Sequence, residues 1–300
     1  MASLAILGGS SSQPLAYRIA KGLRAEYIRV ETRKFPDGEK YARIHGDVEG
    51  KSIVLVQSMY HRPDEYLMEY FLIVDTLKDL GAKKVIGVIP YFAYARQDHR
   101  FNPGEILSLK TVFKLIKDVG TDELYVIDMH RHRMGDELMK SIGLPTHNLT
   151  AMRLLGRYAL DRFRLEDPVV LGPDEEAEQW ARIAAEEIGA EYVCLVKRRI
   201  SDREVETRPR RELDLHGKDV LIVDDIVSTG GTMVSAVTIA LKQGAKRVIA
   251  ACTHPILVEN ALVKVLEAGA EALIGTDTVP SPVSYVSVAP VIIDALRHLA

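Results

Sequence analysis

Two adjacent carboxylates that run at once into hydroxyls and glycines are the most chemically loaded stretch of this chain: Val220–Met233 reads VLIVDDIVSTGGTM. Gly230 and Gly231 let the backbone come close to a ligand, and the free N–H groups at a helix start attract an anion. Ser228, Thr229 and Thr232 add hydroxyl donors, so the loop reads as a phosphate cradle. Asp224 and Asp225 repel phosphate and need a partner with hydroxyls or a cation. A sugar phosphate supplies the first, with its phosphate in the loop and its ribose hydroxyls on the carboxylates; magnesium could supply the second. No lysine follows the glycines, so this is not the usual nucleotide P-loop. The bland alternative is a tight turn capped by Asp and Thr, but two carboxylates directly after four apolar residues are hard to justify as packing.

The elements around the motif follow from periodicity. Val220 to Val223 predict a core strand of a parallel sheet. MVSAVTIALKQGA, after Thr232, predicts a helix with Gly244 at its C-cap. The motif thus sits at the carboxyl end of a strand, where open α/β sheets bind ligands. SIVLVQS, KVIGVIPY, LYVIDMH, PVVLGPD, EYVCLVK, DVLIVDD, RVIAACTH and ALIGTDT read as further strands. Helical patterns such as EYLMEYFLIVDTLKDLGA and AEQWARIAAEEIGA lie between them, the alternation of a parallel α/β protein. The chain also repeats itself: GKSIVLVQS from Gly50 parallels GKDVLIVDD from Gly217, and LGAKKVIGV parallels QGAKRVIAA. Two similar α/β domains in tandem are expected. Gln57 and Ser58 stand where the second copy has Asp224 and Asp225, so only the second copy is expected to bind the sugar phosphate.

Composition narrows the class. Across 300 residues, 39 Lys and Arg balance 42 Asp and Glu, a formal charge of −3 that gives no sign of a nucleic-acid partner. Cys194 and Cys252 lie in apolar runs and read as core residues rather than a disulfide or metal site. The start MASLAILGGSSS lacks the pattern of a signal peptide, and no apolar segment is long enough to span a bilayer. A soluble cytoplasmic protein with no membrane partner is expected.

VLIVDDIVSTGGTM resembles the phosphoribosyl pyrophosphate signature of the type I phosphoribosyltransferase fold. FPDGE at Phe35–Glu39, YARQD at Tyr94–Asp98, DMH at Asp128–His130, GPD at Gly172–Asp174 and KRR at Lys197–Arg199 stand in the order of the ribose-phosphate pyrophosphokinase family. The resemblance implies an α/β chain of two tandem phosphoribosyltransferase-like domains, each a mainly parallel sheet flanked by helices. Residues 1–144 form the first, on the ATP side and with the oligomer contacts; 145–285 form the second, on the ribose 5-phosphate side; 286–300 pack back on the first. It implies transfer of the β,γ-diphosphoryl group of MgATP to the 1-hydroxyl of ribose 5-phosphate, giving phosphoribosyl pyrophosphate and AMP.

The resemblance also assigns roles. Lys197 and Arg199 are the catalytic cations, gripping the phosphates as charge builds on the leaving group. Phe35, Asp37, Glu39, Arg96, Gln97 and His130 contact ATP. Asp224, Asp225, Ser228, Thr229, Gly230, Gly231 and Thr232 bind ribose 5-phosphate. His130 and Asp174 hold Mg2+. Because FPDGE reaches a neighbouring subunit's ATP in the family, a homo-oligomer of at least two subunits is implied. ISDREVETRPRRELDLHGK, with Arg203, Arg208, Arg210 and Arg211, is polar enough for a mobile lid, or for a solvated loop whose charges pair with one another. Glu175 and Glu176 depart from the family's small residues, and no role is carried onto His132 or Arg133. The N-terminal GGSSSQP is glycine-rich and polar enough to cradle an anion. Two rivals remain: a phosphoribosyltransferase acting on a free base, and a non-catalytic regulatory subunit.

Overall fold

The computed structural model describes residues 3–100, 102–130, 140–199, 205–209 and 214–300, with side chains at all of these except 197–199 and 205–209. The chain forms two compact units, one running to Leu149 and completed by Ala289–Ala300, the other Thr150–Val288. In the first, β1 (Leu4–Gly8), α1 (Gln13–Leu23), β2 (Glu26–Lys34), β3 (Lys40–His45), β4 (Ser52–Val56), α2 (Pro63–Asp79), β5 (Lys84–Ile89), α3 (Ser108–Asp118), β6 (Glu123–Ile127) and β7 (Thr146–Leu149) follow one another. The second holds α4 (Met152–Phe163), β8 (Val169–Gly172), α5 (Glu178–Ile188), β9 (Glu191–Arg199), β10 (Val205–Pro209), β11 (Asp219–Val227), α6 (Gly231–Lys242), β12 (Arg247–Pro255), α7 (Ala261–Glu267), β13 (Ala272–Thr276) and β14 (Ser284–Val286). The last helix, α8 (Ala289–Leu296), belongs to the first unit and packs on α1. Gly22 permits that contact, since a Cβ there would lie 2.2 Å from Ile293 Cδ1.

Each unit builds a seven-stranded sheet, and the two orders match position for position: β3-β2-β1-β4-β5-β6-β7 and β10-β9-β8-β11-β12-β13-β14. Among the described residues only the β2–β3 and β9–β10 pairs are antiparallel. The faint sequence repeat is therefore a repeat of topology. Strands such as β1 and β4 are buried almost throughout, because helices cover both faces of a parallel sheet and leave no strand face for polar residues. Within β11 the alternation is explicit: Val220 and Ile222 join the cluster containing Met233 and Val237 of α6, while Leu221 and Val223 join the one containing Trp180 and Ala184 of α5.

In both sheets the order reverses at the centre. The chain leaves β8 toward β9 but leaves β11, its neighbour, toward β12, so the two following loops diverge and open a crevice at the carboxyl edge. The first sheet has the same switch point between β1 and β4.

Two expectations need correction. β11 does not end at the carboxylates; parallel pairing with β12 carries it on through Ile226 and Val227, opposite His254 and Pro255. Part of the segment expected as a lid is a strand: β10 pairs antiparallel with β9, setting Thr207 opposite Lys197 and Val205 opposite Arg199. The backbone hydrogen bonds of the pair hold this polar stretch extended without an apolar pattern. Residues 200–204 and 210–213, with Arg203, Arg210 and Arg211, lie outside the described residues, as do His132 and Arg133.

At the opposite edge of the second sheet, Asp219 is fully buried and accepts both Arg247 Nε (2.8 Å) and Nη2 (2.7 Å), besides the Glu166 N–H (2.6 Å). Burial works against its charge, but these donors outweigh it and hold the carboxyl below the usual aspartate range. A depressed folded-state value adds stability above the unfolded-state pKa and loses it as pH falls through the folded value. Asp219→Ala should therefore lower the unfolding free energy by about 3 kcal/mol at neutral pH, because it strands the guanidinium. Urea melts should show this gap narrowing below about pH 4.

Candidate active site

The carboxyl edge of the second sheet gathers the residues that the motif singled out. β8 ends at Gly172, so Asp174 enters the crevice from one side, while Asp224 and Asp225 arrive at the end of β11. Asp174 Oδ1 accepts the N–H groups of Glu176 (3.1 Å) and Ala177 (3.2 Å), which fixes the turn into α5. Asp224 Oδ1 accepts the Asp225 N–H at 2.9 Å, and Asp225 Oδ1 the Ile226 N–H at 2.8 Å. Burial, then the charges of Asp225 and Asp174, push the Asp224 carboxyl well above the usual range. The same surroundings, burial first and then Asp224, raise the thiol of Cys252, its strand neighbour, and keep it protonated. Cys194 and Cys252 are buried, form no disulfide among the described residues, and belong to the core.

Beyond the carboxylates, Ser228 and Thr229 lead into α6. The ladder of that helix begins with the Val234 N–H on the Gly230 carbonyl at 2.8 Å, and the first turn of a helix has no intrahelical acceptor for its own N–H groups. Its two glycines serve different needs. Gly230 has φ +83°, a left-handed conformation, with Ala261 against it. Gly231 has an ordinary φ, and a Cβ there would meet nothing within 4 Å, so packing does not demand glycine. Open space at Gly231, beside exposed Thr229 and Thr232, is what a ligand's approach to the backbone requires. The site offers N–H and hydroxyl donors on one side and crowded carboxylates on the other.

Lys197 and Arg199 end β9, which lies beyond β8 in the sheet and runs parallel to it, so both leave the sheet at this same edge. Their side chains lie outside the described residues. Glu175 and Glu176 are exposed just ahead of α5, where acids suit the helix dipole.

In the first unit the expected nucleotide residues also share the carboxyl edge. Phe35–Glu39 is the β2–β3 hairpin turn, closed by the Phe35 N–H on the Glu39 carbonyl (2.8 Å) and the Gly38 N–H on the Phe35 carbonyl (2.9 Å). Phe35 is 39% exposed and stands edge-on to Tyr41, with the Arg33 guanidinium 4.9 Å from its ring centre. Arg96, exposed, and Gln97, half-buried, follow β5; His130, half-buried, follows β6. Asp98 is buried and pairs with His99 Nδ1 at 2.7 Å, and Asp128 is buried with a left-handed φ of +37°.

Residues 4–120 match the family model for the N-terminal domain of ribose phosphate pyrophosphokinase, and residues 146–265 match that for the phosphoribosyl transferase domain. The chain is 44% identical to a ribose-phosphate pyrophosphokinase of Methanothermobacter thermautotrophicus, over 97% of this chain and 99% of the relative. It is 41% identical to one of Methanopyrus kandleri, over 98% and 99%. The chain belongs to the ribose-phosphate pyrophosphokinase family. A solved structure of phosphoribosylpyrophosphate synthetase from Mycobacterium smegmatis superposes with a TM-score of 0.86 at 28% identity, covering 99% of this chain and 98% of that one.

The reading that led to this family missed one buried charge. Glu69 is 1% exposed on α2 and hydrogen-bonds to the GGSSSQP loop and to Gln57. A signal for it was present: in EYLMEYFLIV an acid stands four residues before Ile73, within the apolar stripe that Tyr70, Ile73, Val74 and Leu77 define.

The crowding of carboxylates makes a prediction about stability. Asp224, with its raised folded-state pKa, favours the fold below the unfolded pKa and loses that contribution as pH rises through the folded value. Asp224→Asn stays neutral throughout. Without divalent cations at pH 7 it should melt about 3 °C above the unsubstituted protein, as about 1 kcal/mol does in a domain of this size. Thermal scans should show the advantage vanish below about pH 4.

Proposed function

We propose that this protein is a ribose-phosphate diphosphokinase, which moves the β,γ-diphosphoryl group of MgATP to the 1-hydroxyl of ribose 5-phosphate. The observation that carries the reading is the meeting of Asp174, Asp224 and Asp225 with the start of α6 at the switch point of the second sheet. The 5-phosphate sits on the hydroxyls and N–H groups of Ser228–Thr232. Asp224 and Asp225 accept the ribose hydroxyls, which turns the 1-hydroxyl toward the nucleotide. Its oxygen gives up its proton to solvent and bonds to the β-phosphorus as the bond from that phosphorus to the α-bridging oxygen breaks, and AMP leaves. Lys197 and Arg199 stabilise the charge that builds on the phosphates, the main source of rate in phosphoryl transfer.

On the first unit, ATP is held by Arg96, Gln97 and His130. Phe35, Asp37 and Glu39 serve a neighbouring subunit's nucleotide, as the exposure of the whole hairpin tip allows, so the working enzyme is a homo-oligomer of at least two subunits. A carboxylate such as that of Asp174 suits Mg2+, which commonly takes one or two carboxylates with substrate phosphates, whereas an imidazole is an unusual donor for it. Asp174, and His130 on the nucleotide side, would hold it, and it would neutralise phosphate charge. No described helix is long and apolar enough to cross a membrane, and we place the activity in the cytoplasm.

The purified protein with MgATP should release AMP only when ribose 5-phosphate is present, with one phosphoribosyl pyrophosphate per AMP. No AMP with intact sugar phosphate binding favours a regulatory subunit; consumption of phosphoribosyl pyrophosphate with a free base favours a transferase. Lys197→Ala should lower kcat by about 10³ while ribose 5-phosphate affinity holds, the scale on which one transition-state cation acts. Near-normal turnover in that variant removes Lys197 from the chemistry.

A further inference from the structure

The matched topologies give every strand end of the second sheet a counterpart in the first. Ser10, two residues past the end of β1, corresponds to Asp174, two past the end of β8. Gln57 corresponds to Asp224 in the sequence repeat, and the β2–β3 hairpin corresponds to the β9–β10 hairpin. Where the second crevice is lined by carboxylates, its counterpart is lined by donors. A carboxylate of the protein fills it.

That carboxylate is Glu69, which reaches in from α2. Its Oε1 accepts the Ser10 N–H at 2.7 Å and Gln57 Nε2 at 3.2 Å; its Oε2 accepts the Ser10 hydroxyl and Lys40 Nζ, each at 2.8 Å. The donors are themselves held. Gln57 Oε1 accepts the Ser11 hydroxyl at 3.0 Å, the Ser58 N–H donates to Ser12 Oγ at 2.9 Å, and a Cβ at Gly9 would lie 2.0 Å from Gln57 Oε1. A buried ion with every donor satisfied and an opposite charge in contact is a rigid junction, and costly to open.

The junction also reaches the hairpin. Lys40 opens β3, next to Glu39, and Lys34 closes β2, next to Phe35. Lys34 Nζ pairs with Glu65, one turn before Glu69 on α2, at 2.7 Å. Both legs of the hairpin therefore stand on acids of a single helix, one half-buried and one buried. The exposed pair contributes little on its own. The buried one sets the position.

We propose that Glu69 is an internal ligand: its carboxylate occupies the first sheet's counterpart of the carboxylate-lined crevice, where donors stand in place of Asp174 and Asp224, and, through Lys40, positions the hairpin Phe35–Glu39. The Ser10 N–H and the Ser10 and Ser11 hydroxyls are then not phosphate contacts, because they already donate within the protein. The inference rests on the proposed role of the hairpin at ATP for its kinetic consequence, but not for the anchoring itself.

Full-length Glu69→Gln, Glu69→Ala and Lys40→Met separate these parts. Hydrogen exchange, which needs no turnover, should quicken at the amides of residues 34–40 in all three. KM for ATP should rise about tenfold, the scale of one lost charged hydrogen bond, while KM for ribose 5-phosphate stays within about twofold. Sodium formate should restore the Glu69→Ala hairpin, whose cradle is empty, and not the Glu69→Gln hairpin, whose cradle is full. Unchanged exchange in folded Glu69→Gln or Lys40→Met overturns the anchor, as does a Glu69→Ala variant indifferent to formate. Equal loss in both KM values shows a merely structural role and also overturns it. If Phe35→Ala leaves KM for ATP untouched while Glu69→Gln loosens the hairpin, the anchor stands and the hairpin's role at ATP falls.

Discussion

The repulsion among Asp174, Asp224 and Asp225 is the constraint around which the second unit is built. Burial first, and then the charges of its neighbours, make Asp224 resist ionisation, and strand pairing on both sides of β11 holds it in place. The donors of the α6 start lie only a few residues farther along the chain, so one short loop presents opposite electrostatic demands to its ligand. A molecule with a phosphate at one end and hydroxyls at the other meets both. Preorganised charge of this kind is where such sites draw their selectivity, and it weakens the unliganded fold.

Two units with one topology have been given opposite polarities at the same place. In the second crevice, acids wait for hydroxyls or a cation. In the first, a lysine, a glutamine and a serine enclose an acid that the chain itself supplies. Duplication of a sheet duplicates its switch point, and a vacant donor cradle would compete for phosphate. Filling it from α2 removes that competition and converts the place into a foundation for a hairpin. The fold thus supports different tasks in its two halves without any change of strand order.

Much of this was legible in the residues, for definite reasons. Strands buried on both faces, such as Leu4–Gly8 and Lys84–Ile89, carry continuous apolar runs that stand out at once. The loop proposed to hold the sugar phosphate stood out equally, because paired carboxylates and tandem glycines have few packing explanations. The edge pieces were harder. β10 and β14 are short and irregular in pattern, and they exist because a neighbouring strand offers its backbone. The end of β11 was placed too early because a carboxylate normally marks the end of a buried strand, whereas here pairing with β12 overrides that preference. Glu69 escaped notice since a single acid within a long apolar helix reads as its solvent face, and its donors come from segments 12 to 59 residues away.

The central claim is that two like crevices contain a single sugar-phosphate site, made by the paired carboxylates and the loop after them. Isothermal titration of ribose 5-phosphate into the purified protein, without nucleotide, measures this directly. The account predicts one molecule bound per chain, and none when Asp224→Asn and Asp225→Asn are combined in a protein that still folds. Two molecules per chain, or undiminished binding to the double variant, would contradict it.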